Sequence, residues 1–138
     1  MLCAHAGLRI SEALALTGKD ISLEGRALTV RHGKGGKQRR VVIGETLIRT
    51  LGRLPEQQDP LIGGSYLAAI ERLRRLCLRA GVAYRGYHAL RHYAGTRLTQ
   101  EGASLDDVAR HLGHSVLETA RIYAKWSDES LRRRVGRW

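Results

Sequence analysis

The sequence contains no phenylalanine, only two cysteines and no long hydrophobic run. Cys3 and Cys77 form neither a metal-ligand nor a redox spacing, so no disulfide framework is expected and a reducing cytoplasm is the simplest compartment. Residues 1–8 lack the basic start and the extended apolar region of a signal peptide, and no segment approaches the length of a membrane span. We therefore expect a cytoplasmic protein that is not inserted into a membrane.

Acidic residues are few relative to basic ones. The chain has 24 Lys and Arg against 13 Asp and Glu, which gives a formal net charge of +11 at pH 7. Such an excess suits a polyanionic partner, either nucleic acid or an anionic membrane surface. A membrane-surface protein usually concentrates its basic residues on one amphipathic helix, whereas here they recur from Arg26 to Arg137 across predicted strands, turns and helices. This distribution favours nucleic acid.

A hairpin is predicted in the first third of the chain. The β-prone runs Ala27–Val30 and Arg40–Ile43 flank the glycine-rich segment Gly33–Lys37, which therefore reads as a flexible, basic hairpin tip. The segment Ile21–Leu23 is a candidate third strand at the edge. With 138 residues the chain is long enough for one domain and too short for two ordinary ones, so residues 1–138 are predicted to form a single domain.

Apolar residues at helical spacing predict helices through most of the remaining chain. Ser65 is a predicted N-cap, and the helix that follows it is expected to turn Leu67, Ile70, Leu73 and Cys77 inward. The predicted helices cover residues 10–17, 45–54, 66–80, 88–100, 105–112, a segment that starts after Ser115 and carries Tyr123, and 127–135. The predicted fold is mainly α with a small antiparallel β-sheet (α+β).

Two side chains on the predicted central helix have complementary chemistry. His88 and Arg91 stand three residues apart, so they project from one helical face. This places a proton-transfer group beside a guanidinium that can bind an anion through two parallel hydrogen bonds. A phosphate would fit there.

A second cluster of candidate residues follows shortly after. Gly113 is typical of a helix end, His114 comes next, and Ser115–Glu118 reads as a capping box that opens another helix. That helix carries Tyr123 in its later turns. We therefore predict that Tyr123 reaches the same place as His88.

The spacing of these residues resembles that of the tyrosine recombinases, a family that includes phage integrases and chromosome-dimer resolvases. The order is H-x-x-R, then L-G-H, then a tyrosine nine positions beyond that histidine. Upstream, Gly7–Glu12 resembles the first arginine box of the family, and Gly33–Lys37 resembles its hairpin lysine motif. Five motifs in the family order make the match specific, and it runs over almost the whole chain.

The resemblance implies a DNA-cleaving site composed of Arg9, Lys34, His88, Arg91, His114 and Tyr123. Tyr123 would attack a phosphodiester and form a covalent 3′-phosphotyrosine, without a metal, ATP or other cofactor. Arg9 and Arg91 would bind the non-bridging oxygens, where charge gathers in the transition state. His88 would accept or relay the tyrosine proton, and His114 would hydrogen-bond the phosphate or orient its neighbours.

The role of the hairpin lysines stays open on residue chemistry alone. Lys34 is a candidate general acid for the leaving alkoxide, but the tip also suits a clamp on the DNA backbone. The resemblance selects Lys34 as the catalytic lysine and leaves Lys37, Arg39 and Arg40 as DNA-binding residues. The segment lacks the Gly-Lys-Ser/Thr ending of a P-loop, so an ATPase is a poor interpretation.

A zinc site is also a poor interpretation. His88 and His92 have the i, i+4 spacing of zinc ligands, but no glutamate follows the first histidine and no third ligand is evident. We therefore predict no metal site. His92 and His111 are interpreted as packing or surface residues.

The resemblance further implies double-stranded DNA as the partner and tetramers on paired sites, with residues 127–138 docking on a neighbour unless they form a solvated basic helix. Arg9 lies almost at the amino terminus, whereas family members place further helices and a DNA-clamping domain before this box. The chain is therefore either a fragment of a longer protein or a naturally shortened relative. In both cases we expect a catalytic-domain fold that is amino-terminally shortened, lacks the clamp, binds DNA weakly and recombines it poorly on its own. The rival functions are a non-catalytic DNA-binding module and a type IB topoisomerase-like relaxation of DNA.

Overall fold

The computed structural model describes residues 1–31, 36, 38–54 and 59–136, apart from the side chains of residues 127, 129, 130 and 134. Lys34 and Lys37, which are predicted site residues, lie outside the described residues, as does most of the predicted hairpin tip. The predicted helix end at Pro55 lies outside them as well.

The described part of the chain is mainly helical with one small antiparallel sheet, which confirms the predicted fold class. Its helices are α1 (Leu2–His5), α2 (Ile10–Ala15), α3 (Glu45–Leu51), α4 (Tyr66–Arg79), α5 (Gly86–Gln100), α6 (Leu105–Leu112) and α7 (Val116–Val135). Its strands are β1 (Ile21–Ser22), β2 (Ala27–Val30) and β3 (Arg39–Val42), paired in the order β1-β2-β3. A 3-10 turn, Gly18–Asp20, precedes β1.

The predicted hairpin is present, and its register sets one face against the core. Leu28 pairs with Val41 and Val30 pairs with Arg39. Leu28 and Val41 are fully buried, whereas the next residue of the edge strand, Val42, is exposed. Period-two alternation therefore fixes which side of β3 faces inward.

Two apolar clusters are linked by the central helix. The larger one lies between the sheet and helices α1 to α3, and its buried members are Leu2, Cys3, Ala6, Leu8, Ala13, Leu16, Leu28, Val30, Val41, Ile43, Leu47, Leu51 and Leu61. The smaller one joins α6 and α7 around Val108, Leu112 and Tyr123. Because α5 contacts α1, α4, α6 and α7, it carries residues to both clusters.

Local capping chemistry explains where three of the helices start. The Oγ of Ser65 accepts from the backbone N–H of Ala68, and Ser104 does the same for Asp107. Ser115 caps α7 in the same way, through the N–H of Glu118. These three caps match the predicted helix starts.

Three details differ from the predictions. Leu67 is 74% exposed rather than inward, because α4 packs through Ala69 and leaves most of its length in solvent. Helix α1 was not predicted, since four residues are too short to show a period. Helix α7 runs on through residue 127 to Val135 instead of breaking into two pieces, and no glycine or proline interrupts it.

Among the described helices, none is both long and apolar enough to span a membrane.

Candidate active site

A buried carboxylate, that of Glu12, is surrounded by arginines. The backbone N–H of Arg9 donates to its Oε2 at 2.8 Å and the Arg9 Nη1 donates to its Oε1 at 3.0 Å. Arg39 binds both carboxylate oxygens, each at 2.8 Å. Although burial alone would raise the pKa of Glu12, the hydrogen bonds from Arg39 and Arg9 lower this pKa to about 2. Glu12 is therefore ionised at neutral pH.

Arg91 is one of the most deeply buried side chains, with 2% of it exposed. Its Nη1 donates to the carbonyl of Gly7 and its Nη2 donates to the carbonyl of Leu112. Burial, and then the charge of Arg9, lower the pKa of Arg91 to about 10, so it remains a cation at neutral pH. Its Nε is buried without a hydrogen-bond partner in the described part of the chain. An anion would satisfy this donor.

Arg9, His88 and Arg91 line one open cleft of about 410 Å³. The cleft lies between the start of α2, the start of α5 and one side of α4; its other lining residues are Ile10, Ser11, Tyr66, Ile70, Tyr84, Gly86 and Tyr87. The i, i+3 spacing of His88 and Arg91 on α5 thus places both at this cleft, as the sequence pattern predicted.

His114 follows the left-handed turn at Gly113 that ends α6. Burial, and then the charge of Arg91, lower the pKa of His114 to about 4; Arg9 and His88 act in the same direction. His114 is therefore neutral at pH 7 and lies within electrostatic range of all three. Its Nδ1 is buried and has no hydrogen-bond partner among the described residues.

Tyr123 is packed inside the protein, within electrostatic range of Arg91. Its side chain is only 1% exposed and belongs to the smaller apolar cluster. Its hydroxyl lies 3.1 Å from the Nδ1 of His92, and the two rings meet edge to face at 5.2 Å. The ring rests on Gly95, where an added Cβ would lie 2.4 Å from the Cζ and Oη of Tyr123. Tyr123 is not among the described residues that line the cleft.

The contact between His92 and Tyr123 was missed at the level of sequence, where His92 was interpreted as a packing or surface residue. One signal was available. His92 lies four residues after His88 and three before Gly95, so all three share a stripe of α5. A glycine inside a helix often marks a close approach by another group.

Glu12 was not a predicted site residue, and it pairs with Arg39, whose side chain is largely buried. Arg39 is a predicted DNA-binding residue; its side chain is 11% exposed and donates hydrogen bonds to Glu12 and to the carbonyl of His111. Arg40 is exposed and donates to the carbonyl of Gly25 at 3.2 Å. The two neighbouring arginines of β3 therefore point to opposite environments, as alternation along a strand requires.

Metal-ligating side chains do not cluster in threes anywhere in the ranges that the structure describes. Of the predicted site, the structure brings together Arg9, His88, Arg91 and His114, and it holds the hydroxyl of Tyr123, on α7, against His92 of α5. Lys34 and Lys37 lie outside the described residues.

Comparison with known proteins connects this geometry to a family. The model of the phage integrase family matches residues 1–130. A tyrosine recombinase XerC of Bifidobacterium longum (strain DJO10A) is 33% identical over 153 residues, covering 94% of this chain and 43% of that protein.

Solved structures give the same match. The crystal structure of XerA recombinase superimposes with a TM-score of 0.78 at 25% identity, over 99% of this chain and 55% of that one. The site-specific recombinase XerH, solved in a post-cleavage complex with a palindromic difH substrate, gives a TM-score of 0.67 at 26% identity, over 97% of this chain and 43% of that one. The chain therefore spans about half the length of these relatives.

Proposed function

Because this chain belongs to the phage integrase family, we propose that it breaks and rejoins DNA in site-specific recombination, through a covalent bond to Tyr123. The observation that carries the proposal is the cleft lined by Arg9, His88 and Arg91, next to the buried and neutral His114. Two buried nitrogens there, Arg91 Nε and His114 Nδ1, lack a partner in the described part of the chain, and a phosphate oxygen would satisfy either one.

In this proposal a DNA phosphate sits in the cleft. Arg9 and Arg91 contact its non-bridging oxygens, and His114 adds a neutral hydrogen bond. Glu12 offsets only part of the positive charge around it, because three arginines lie within 4 Å of its carboxylate. The remaining charge favours the extra negative charge that develops as phosphorus becomes five-coordinate.

The chemical step is a transesterification. The hydroxyl of Tyr123 attacks phosphorus, loses its proton to His88, and forms a new P–O bond while the bond to the 5′ oxygen breaks. Lys34 protonates the departing oxygen. Rejoining is the reverse attack, in which a 5′-hydroxyl displaces Tyr123. Tyr123 must leave its contacts with His92 and Gly95 before it can attack.

The partner in this proposal is double-stranded DNA. The net charge of +11 supports it, as does the name of XerH, which was solved on a DNA substrate. We propose in addition that the chain acts in the cytoplasm and assembles as a tetramer on paired sites. Sedimentation of the protein on DNA that carries two sites would measure this stoichiometry.

Covalent capture tests the chemical step. The protein is incubated with a duplex library that carries a nick beside a randomised arm, so that the released fragment diffuses away and the adduct accumulates. We expect an adduct that survives denaturant and is absent from Tyr123→Phe. In Arg91→Lys the rate of adduct formation should fall by about 10²–10³-fold, the usual loss when one oxyanion donor is removed.

Two outcomes would overturn the proposal. If the wild-type protein binds the library and forms no adduct, it is a non-catalytic DNA-binding module. If it relaxes a supercoiled plasmid without site preference, it is a type IB topoisomerase-like enzyme. Sequencing of the captured arm separates site-specific cleavage from this second outcome.

A further inference from the structure

Arg39 lies between the sheet and the cleft, and nearly all of it is enclosed. It starts β3, two residues after the end of the hairpin segment that carries Lys34. Its Nη1 and Nη2 each donate to one oxygen of Glu12 at 2.8 Å, and its Nε donates to the carbonyl of His111 at 3.2 Å. Three different directions of the guanidinium are therefore already used inside the protein.

The same turn of α6 binds two arginines through consecutive carbonyls. The carbonyl of His111 accepts from Arg39, and the carbonyl of Leu112 accepts from Arg91. The last carbonyls of a helix have no partner within the helix and carry partial negative charge, so buried guanidinium groups stabilise this end. Gly113 then turns away with φ +68, and a Cβ at this position would lie 3.0 Å from Arg39 Cδ, Nε and Nη1.

Arg39 also affects the contact between Glu12 and Arg91. Both carboxylate oxygens of Glu12 are occupied by Arg39 and Arg9. Arg91 remains 3.8 Å from the nearest oxygen, beyond hydrogen-bond distance. Arg91 consequently donates no hydrogen bond to Glu12, and its Nε keeps no partner in the described part of the chain.

We propose that Arg39 is a positioning residue: through Glu12 and the end of α6 it holds Arg9, Arg91 and His114 in the arrangement that binds a DNA phosphate, and it does not contact DNA itself. This inference rests on the proposed function. Lysine cannot replace it, because an ammonium group is a point charge that cannot span two carboxylate oxygens and a carbonyl.

The first test uses inorganic phosphate, which requires no knowledge of the DNA target. Phosphate is titrated into the full chain, and the NMR signals of the arginine Nε–H groups are followed. In the wild type, phosphate should shift the signal of Arg91. In Arg39→Lys, which preserves the net charge, we expect the apparent affinity to fall at least tenfold.

Arg31→Lys is the matched control. Arg31 directly follows the other strand of the same hairpin and pairs with the buried carboxylate of Asp20, outside the cleft. This variant should bind phosphate as the wild type does. Glu12→Gln should lose as much phosphate affinity as Arg39→Lys. The double variant should bind phosphate no more weakly than the more weakly binding single variant, because both changes break one network.

The second test separates positioning from direct contact with DNA. With the captured DNA as substrate, Arg39→Lys should both weaken the Kd for DNA and form the adduct more slowly at saturating DNA, because Arg9, Arg91 and His114 no longer hold the phosphate correctly. A phosphate contact would behave differently, since lysine also binds phosphate and would preserve both quantities.

The inference is overturned if Arg39→Lys binds phosphate and forms the adduct as the wild type does, or if Arg31→Lys loses as much as Arg39→Lys. Failure of the proposed function is a distinct result, in which the wild type itself neither shifts with phosphate nor forms an adduct. In that case the Arg91 Nε–H signal of the protein without phosphate still tests the inference. If this signal is the same in Arg39→Lys as in the wild type, Arg39 does not position Arg91.

Discussion

Arg91 Nε and His114 Nδ1 are buried nitrogens without a hydrogen-bond partner in the described part of the chain. Leaving a buried donor or acceptor unpaired costs about 1–3 kcal/mol, so such groups are rare in the interior of a protein unless a ligand completes them. Both belong to residues at the candidate site, one charged and one neutral. At the scale of single residues, a phosphate oxygen bound at the site would therefore relieve this cost at either group.

Gly95 is the residue that allows Tyr123 to pack where it does. In Gly95→Ala the new methyl group would occupy space now filled by the ring, so Tyr123 should be displaced and lose its contact with His92. Overpacking of this kind costs about 1–3 kcal/mol, which urea denaturation would measure as a lower free energy of unfolding. Gly63→Ala is the control, because a Cβ there would meet nothing within 4 Å. Equal stabilities for the two variants would show that Tyr123 does not need this space.

His114 should titrate well below an ordinary histidine. Its pKa falls from 6.5 to about 4 because burial and the charge of Arg91 disfavour the imidazolium. As pH falls, the unfolded chain takes up the proton first, so this residue lowers the stability of the fold progressively between pH 6.5 and 4 and has no effect above that window. An NMR titration of its ring protons would measure the midpoint. Phosphate should raise the midpoint, and a value near 6.5 without phosphate would contradict the burial of His114.

At the scale of secondary-structure elements, one short helix determines where the site side chains meet. Helix α6 offers its last carbonyls to Arg39 and Arg91, and the chain after it carries His114. Its end at Gly113 has φ +68, a left-handed conformation that residues with a Cβ rarely adopt. The left-handed turn at the end of α6 thus brings together Arg39 of β3, Arg91 of α5 and His114, which precedes α7.

Gly113→Ala should cost more than the same change at another left-handed glycine. Gly81, after α4, has φ +65 and open space where a Cβ would be, whereas at Gly113 the Cβ would crowd Arg39 at 3.0 Å. Left-handed strain alone costs about 1–2 kcal/mol in either variant. The excess loss of unfolding free energy in Gly113→Ala, measured against Gly81→Ala, reports the displacement of Arg39. If the two losses are the same, Arg39 moves aside freely and does not hold the turn.

At the scale of the whole molecule, positive charge continues from the cleft along α4. Tyr66 and Ile70 line the cleft, and Arg74 lies four residues further along the same face. The guanidinium of Arg74 stands 5.2 Å over the ring of Tyr84, another cleft residue. We therefore predict that a duplex with one phosphate in the cleft also contacts Arg74.

Binding to duplex DNA should weaken steeply with salt, and Arg74→Gln should reduce the log–log salt slope by about 1, the change expected for one lost phosphate contact. Fluorescence anisotropy at several salt concentrations measures the slope. Arg49→Gln is the control, because it removes the same charge from α3, where Arg49 pairs with Glu45. An equal change of slope in both variants would mean that net charge, and not the position of Arg74, governs binding.

Local pattern was sufficient for much of this protein. The hairpin strands, the caps at Ser65, Ser104 and Ser115 and the shared face of His88 and Arg91 all depend on residues a few positions apart. Period and capping act over one or two turns, so the sequence displays them directly.

The sequence by itself determined the fold class, the family and the three charged or titratable side chains Arg9, His88 and Arg91 at the cleft, because these depend on short-range periodicity and on the order of motifs. Only the tertiary structure decided that Arg39 pairs with Glu12 across 27 residues and that Tyr123 packs on Gly95 beside His92. Burial and long-range pairing are set by which distant segments pack together, and no local pattern records that choice.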